Sequence, residues 1–160
     1  MDACGYGLGG VYFATGHSPR VWGHPRPQHM VQRLVSSKNP SGDITNSDLE
    51  QAAMVVQSDS IAKSYDTRGA TVSNLMDNTP TLTRHFKGST TTSGPAAYLC
   101  QISSLHQHYH CYCSEVSFIN GVENVMADDA SCLQHLTNSD FFASLQLCVP
   151  PGNTLGALPE

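Results

Sequence analysis

The sequence is poor in charged residues, and especially in basic ones. Only 13% of the 160 residues are Asp, Glu, Lys or Arg, and 8 Lys and Arg side chains face 13 Asp and Glu, which gives a net charge of −5. This composition excludes a charged disordered tail and a coiled coil. It also lacks the basic surplus typical of nucleic-acid-binding domains, and it therefore counts mildly against a polyanion-binding function.

Long apolar runs and a secretory leader are also absent. No stretch of about 18 apolar residues occurs, so we expect no membrane span and no membrane partner. The opening residues, MDACGYGLGG, contain an acid and no basic side chain, so they are not expected to form a signal peptide. The six cysteines are then predicted to be reduced thiols of an intracellular protein, located in the cytoplasm or nucleus.

What the sequence does contain is a succession of short strands and helices. Its length predicts one domain, over residues 1–147, with a loose C-terminal tail over 148–160. The element order is predicted as βββ-α-β-α-β-α, a mixed α/β sheet with helices packed on it. The predicted strands cover residues 1–16, 20–24, 28–37, 70–78 and 111–120, and the predicted helices lie within 39–66, 94–109, 125–136 and 138–147.

The first long helix carries a start signal. Ser47 or Asn46 can serve as its N-cap, and Glu50 lies three residues after Ser47, as in a capping box. Apolar residues then recur at helical spacing. The pattern thus predicts where this helix begins and places Glu50 in its first turn.

Two adjacent acids stand out in the stretch GVENVMADDAS, residues 121–131. Asn124 can cap a helix, and Asp128 and Asp129 in its first turn would be stabilised by the helix dipole. Alternatively, one of them meets acids that are distant in sequence. Adjacent helical residues differ by about 100°, so only one of the pair is expected to point into such a site.

Four acids lie at the ends of different predicted elements. Asp2 opens the first strand, Glu50 lies in the first helix, Asp77 ends the strand over 70–78, and Asp128 begins the helix after the last strand. Mg²⁺ prefers hard oxygen ligands, and two such ions can promote the in-line displacement at a phosphodiester. The pattern therefore indicates a candidate two-metal site.

Five segments together resemble the ribonuclease H domain of retroelement reverse-transcriptase polyproteins, most closely the DIRS-like elements. In chain order they occur over residues 2–131 with the family's spacing. They are DACGYGLGGVYF, ITNSDLEQAAMVVQ, LMDNTPTL, KGSTTTSGPAAYL and ENVMADDAS. The resemblance implies an RNase H-like mixed five-stranded sheet flanked by helices, with a first strand that is truncated at its N-terminal end.

The resemblance also implies the site and its chemistry. The family's four metal-binding, catalytic acids fall on Asp2, Glu50, Asp77 and Asp128, with Asp129 left as a neighbour. Two Mg²⁺ (or Mn²⁺) ions would serve as cofactors for hydrolysis of the RNA strand of an RNA–DNA hybrid. Other domains of a polyprotein, such as a reverse transcriptase, are the expected protein partners. The alternative is a degenerate, non-catalytic remnant of the same fold that acts as a structural or interaction module.

Two further groups of residues carry predictions. Asn78, Thr79, Arg84 and Lys87 are candidates for contacts with nucleic acid, although Asn78 and Thr79 could equally cap a helical turn. The segment HQHYHCYC, residues 106–113, offers three His and two Cys, which are zinc ligands. Its spacing matches no standard zinc module, and it runs from a helix into a strand. Incidental transition-metal binding is therefore favoured over a structural zinc.

Overall fold

The structure, a computed structural model, describes residues 1–91, 94–133, 135–146 and 156–157. Helices and two small sheets make up these residues, which confirms the mixed α/β class. The strands are β1 (Asp2–Ala3), β2 (Gly7–Tyr12), β3 (Arg20–Pro25), β4 (Thr71–Met76), β5 (Cys113–Phe118) and β6 (Gly156–Ala157). The helices are α1 (Gln28–Val31), α2 (Asn46–Ser64), α3 (Thr79–Lys87), α4 (Pro95–His110), α5 (Val125–Cys132) and α6 (Asn138–Gln146), with a 3₁₀ turn over Gly121–Glu123.

The described strands do not form the single five-stranded sheet that was predicted. One sheet has the order β1-β2-β3-β6, and the other pairs β4 with β5 in parallel. The strand β1 is only two residues long and pairs with β2 through Asp2–Gly9 and Ala3–Leu8. The Met1 amino group, just before β1, donates to the Leu75 carbonyl of β4 at 3.3 Å. No ladder between β1 and β4 is present among the described strands.

The predicted first strand is divided, and the predicted third strand is wrong. A turn in which the Cys4 N–H donates to the Gly7 carbonyl separates β1 from β2, so that β3 becomes the third strand. Residues 28–31 form α1, with Pro27 at its N-cap position. Proline has no N–H to give to a ladder and suits the start of a helix, which explains the difference.

From α2 onward the predicted elements are confirmed with small shifts of boundary, and one helix is additional. The additional helix, α3, begins at an N-cap, Asn78, whose side chain accepts from the Thr81 N–H at 3.0 Å. Of the tail predicted over 148–160, only residues 156–157 are described, and they pair with β3. The rest of that prediction lies outside the described residues.

The long helix α2 joins the two sheets through a shared core. The largest buried apolar cluster draws on β2, β3, β4, β5 and α2, so burial of apolar surface stabilises both sheets on one helix. The members of the cluster are Met1, Tyr12, Trp22, Ala53, Met54, Met76 and Val116.

Among the described helices, none is both long enough and apolar enough to cross a membrane.

Helix α5 lies directly on the backbone of β2 at Gly9. A Cβ atom at this position would overlap the backbone of Ala130 and Ser131. Glycine here is what lets α5 approach the sheet closely enough for its side chains to reach β1.

We therefore expect Gly9→Ala to destabilise the fold. Overpacking against a backbone that cannot move aside costs about 1–3 kcal/mol, and equilibrium urea unfolding measures it. Gly5→Ala is the matched control, because Gly5 is exposed and nothing lies within 4 Å of its added Cβ. Equal unfolding midpoints for the two variants would contradict the close packing of α5 on β2.

Candidate metal centre

Three of the four predicted acids meet at one point of the structure. Carboxylate oxygens of Asp2, Glu50 and Asp77, one from each residue, all lie within 4.8 Å of one another. They come from β1, from the first turns of α2 and from the end of β4. Acids far apart in sequence are thus held together by three separate elements.

The position of Glu50 depends on how α2 begins. The N-cap is Thr45 and not Ser47 or Asn46, and the capping box pairs Thr45 with Asp48. Two helical residues on, Glu50 points about 200° away from Asp48. Consequently Asp48 faces α3, where it accepts from Arg84 at 2.8 Å, while Glu50 faces β1 and accepts from the Ala3 N–H at 3.3 Å.

The Asp2 carboxylate is fixed from the opposite side by α5. The Ser131 hydroxyl lies 2.6 Å from Asp2 Oδ2 and 2.9 Å from the Asp128 carbonyl, so it can donate to either oxygen. Both Asp2 and Ser131 are buried. The hydroxyl therefore orients Asp2 and ties β1 to α5.

Asp77 is half-buried where β4 ends, next to the 3₁₀ turn. A Cβ atom at Gly121 would lie 3.2 Å from Asp77 Oδ2, closer than ordinary van der Waals contact. A glycine at the start of the turn thus leaves room for this carboxylate.

Asp128 lies at the margin of the three acids. Burial and the charges of Asp2, Asp77 and Asp129 raise its pKa to about 6, so the four acids share one electrostatic environment. Asn124 stands at the N-cap position of α5 but makes no side-chain capping bond. Instead its amide lies 3.4 Å from Asp128 Oδ1 and 3.5 Å from the Met1 carbonyl. The cap predicted at Asn124 is therefore wrong, and its side chain connects Asp128 to β1.

The cluster is electrostatically strained in the absence of a cation. Burial, followed by the charges of Asp2 and Asp77, raises the pKa of Glu50 to about 9. The Met1 amino group is close enough to feel the charges of these acids, but burial outweighs them and lowers its pKa. At neutral pH the carboxyl of Glu50 thus holds a proton that it can share with Asp2.

The donor set fits a hard divalent cation. Glu50 Oε2 is buried and has no hydrogen bond among the described residues, and the charges that act on this carboxyl come from two acids, Asp2 and Asp77. Either a proton or a metal ion would satisfy this oxygen. Oxygen-only donors suit Mg²⁺ or Mn²⁺ better than softer metals, so the residues present are compatible with the predicted cofactor.

The four residues predicted to contact nucleic acid differ in their exposure and in their hydrogen bonds. The Asn78 side-chain oxygen caps α3, Thr79 is exposed at the start of that helix, and Lys87 is exposed at its end. Arg84 is largely covered, with its guanidinium bonded to Asp48 and to Gln51 at 3.3 Å. It joins α3 to α2, and contact of any of these residues with nucleic acid stays a prediction.

Two supporting residues, Asn124 and Ser131, were not predicted from the sequence as part of the site. Together with Asp128 they are spaced i, i+4 and i+7, which places them on one face of a helix. That helical spacing was the signal in the sequence that could have identified them.

No family model, curated protein or solved structure matches this chain.

Proposed function

We propose that the chain is a metal-dependent phosphodiester hydrolase. Its specific form would be the ribonuclease H domain of a retroelement polyprotein, hydrolysing the RNA strand of RNA–DNA hybrids. One observation supports the class most directly: carboxylates from three separate elements meet, and one of their oxygens, Glu50 Oε2, is buried without a hydrogen bond among the described residues. The five motifs of the sequence support the particular family.

The finer fold belongs to the same proposal. We infer that β1 is the central strand of an RNase H-like sheet, with β2 and β3 on one side and β4 and β5 on the other. Asp2 pairs with Gly9 of β2, while the Met1 amino group donates to Leu75 of β4. These contacts on both sides of β1 support the order, and they bring Asp2 next to Asp77.

Each acid has a position suited to a role. Asp2, Glu50 and Asp77 would hold the first of two Mg²⁺ or Mn²⁺ ions, and Asp128 would contribute to holding the second. When bound, such ions supply Lewis acidity toward the scissile phosphate and lower the pKa of an attacking water. The protein's own contribution is to keep the carboxylates in place: Ser131 orients Asp2, the Ala3 N–H orients Glu50, and Asn124 supports Asp128.

The substrate follows from the resemblance and from the exposed groups near α3. RNA is distinguished from DNA by its 2′-hydroxyls, which lie in a wide and shallow minor groove. Thr79 and Lys87 are exposed at the two ends of α3, where a hydroxyl and an ammonium could bind phosphate. With a net charge of −5, the chain would depend on bound cations to approach a polyanion.

A panel of end-labelled duplexes tests this proposal. With Mg²⁺ or Mn²⁺ we expect cleavage of the RNA strand of an RNA–DNA hybrid, no cleavage of double-stranded DNA or RNA of the same sequence, and none with EDTA. The products should carry 5′-phosphate and 3′-hydroxyl ends. A cooperatively folded protein that cleaves no hybrid with either metal would refute the nuclease and leave the non-catalytic module.

A further inference from the structure

A cluster with different ligand chemistry lies between α2 and α4. His106 and His110 are four residues apart on α4 and therefore share a face, with ring centroids 4.3 Å apart. Asp59 of α2 lies opposite them. One ligand atom from each of the three side chains can be chosen so that all lie within 4.8 Å of one another.

One of these ligand atoms lacks a partner. His106 Nε2 is buried without a hydrogen bond among the described residues, although Asp59 Oδ1 is only 3.5 Å away. The other ring nitrogen, Nδ1, lies 3.0 Å from the Tyr112 hydroxyl. In the tautomer whose Nδ1–H donates to Tyr112, Nε2 presents a lone pair toward the Asp59 carboxylate, and a metal ion between them would satisfy both groups.

We propose that Asp59, His106 and His110 form a second metal site, for a first-row transition metal such as Zn²⁺. Two imidazoles and one carboxylate are a donor set that zinc uses, with a fourth position left for water. Zinc–ligand distances of about 2.0–2.1 Å place tetrahedral ligands about 3.3 Å apart, close to the observed separation of His106 and Asp59.

The surroundings favour binding in one respect and oppose it in another. Burial and the neighbouring His110 lower the pKa of His106, which keeps its imidazole neutral. Against this, Lys63 pairs with Asp59 Oδ2 at 2.7 Å and places a positive charge nearby. Lys63 is well exposed and Asp59 Oδ1 is a separate oxygen, so the ammonium can move away while the carboxylate binds metal.

The site is independent of the three-acid centre. Asp59 is nine residues beyond Glu50 on α2, which is about 13 Å along the helix axis. Its nitrogen donors suit zinc, whereas the all-oxygen centre suits magnesium. A metal here would link the C-terminal half of α4 to α2 and stabilise their packing, whether or not the chain is a nuclease.

Thermal unfolding and cobalt spectroscopy test the site on the full, chelator-treated chain in millimolar Mg²⁺. Adding Zn²⁺ should raise the melting temperature, and Co²⁺ should give visible bands of nitrogen and oxygen coordination. His110→Ala and the volume-conserving His106→Gln should each weaken Zn²⁺ binding at least tenfold. His108→Ala is the matched control, because His108 lies on the same helix but is exposed. The Zn²⁺ affinity of this variant should equal that of the unmodified chain.

Two outcomes would overturn the proposal. One is an unchanged melting temperature and no cobalt bands in the unmodified chain. The other is zinc binding that persists in the two histidine variants, which would place the metal elsewhere, or a near-ultraviolet band from sulfur to cobalt, which would assign the metal to thiols. Cysteines 4, 100, 111, 113 and 132 are free and are the competing ligands among the described residues.

Discussion

Replacing Asp77 by Asn is expected to abolish hybrid cleavage, lowering the rate by about 10³-fold or more. Asparagine keeps the shape of the side chain beside Gly121 but removes the charge that would hold a metal. Loss of metal-derived stabilisation of several kcal/mol corresponds to this factor at about 1.4 kcal/mol per tenfold. Initial rates on the labelled hybrid, at saturating Mn²⁺, measure the effect.

Folding must be preserved for this result to be interpreted. Asp77 contributes to the repulsion that raises the pKa of Glu50, so its neutralisation should leave the melting temperature unchanged or higher. Asp66→Asn is the control: Asp66 lies before β4 instead of after it and forms an exposed ion pair with Arg68. That variant should cleave normally, and full activity in Asp77→Asn would refute the metal centre.

The adjacent acids of α5 give a second comparison. Asp128 lies beside the Asn124 amide, and the charges of Asp2 and Asp77 raise its pKa. Its neighbour Asp129 is rotated about 100° from it around the helix axis. We expect Asp128→Asn to lose most of the cleavage activity and Asp129→Asn to retain most of it. The same initial-rate assay decides between them. Equal losses of activity in the two variants would contradict the assignment of Asp128, and not Asp129, to the metal centre.

The site was more predictable from the sequence than the sheet was. Acids at the ends of elements are local features, and three of the four converge as expected while the fourth shares their electrostatic environment. The sheet depends instead on pairing between distant segments. The resemblance implied a shortened first strand, but the residues alone do not show that β1 pairs with β2 at two positions and that β4 and β5 form a separate sheet.

Errors at the helix starts have a common physical cause. The segment from Thr45 to Ser47 offers three possible N-cap residues in succession, and Asp48 and Glu50 both lie near enough to close a box. Tertiary contacts decide between them, because Arg84 of α3 pairs with Asp48 and leaves Glu50 to β1. A cap chosen by propensity alone cannot include a partner that is 36 residues away.

Metal binding by residues 106–113 stays a prediction, and the structure adds a distant residue to it. The dense segment over residues 106–113 drew attention to local ligands, and its run from helix to strand was read as preventing them from facing one way. The structure does place His106 and His110 on one face, but the third ligand of the proposed site, Asp59, comes from another helix. The spacing of four between the histidines was the useful signal.

Glu50→Gln is expected to change how stability depends on pH. The Glu50 carboxyl has its ordinary pKa of 4.5 in the unfolded chain and a pKa of about 9 in the folded chain. The folded state therefore binds an additional proton between these two pH values. The free energy of unfolding of the metal-free protein should therefore fall as pH rises from about 5 to 9. By pH 7 the loss is on the order of 3 kcal/mol.

The Met1 amino group opposes this trend over part of the range. Its folded pKa is lowered from 8.0, so the unfolded state binds more protons there and stability rises with pH up to about 8. Glutamine at position 50 removes the falling contribution of the Glu50 carboxyl and offers an amide donor to Asp2. Asp128, with a pKa raised to about 6, adds its own fall below that pH in both proteins. Urea unfolding above about pH 6, with EDTA present, should therefore show a less steeply falling profile for Glu50→Gln than for the unmodified chain.

Divalent metal should reverse the effect only in proteins that keep the Glu50 carboxylate. Millimolar Mg²⁺ or Mn²⁺ replaces the proton on Glu50, so it should raise the melting temperature most at alkaline pH, where the metal-free protein is least stable. Glu50→Gln has lost the charge and should respond little, while Glu115→Gln, an exposed acid on β5, should respond like the unmodified chain. If all three proteins respond equally, the metal binds elsewhere, and the buried carboxyl of Glu50 is strained for a reason other than metal binding.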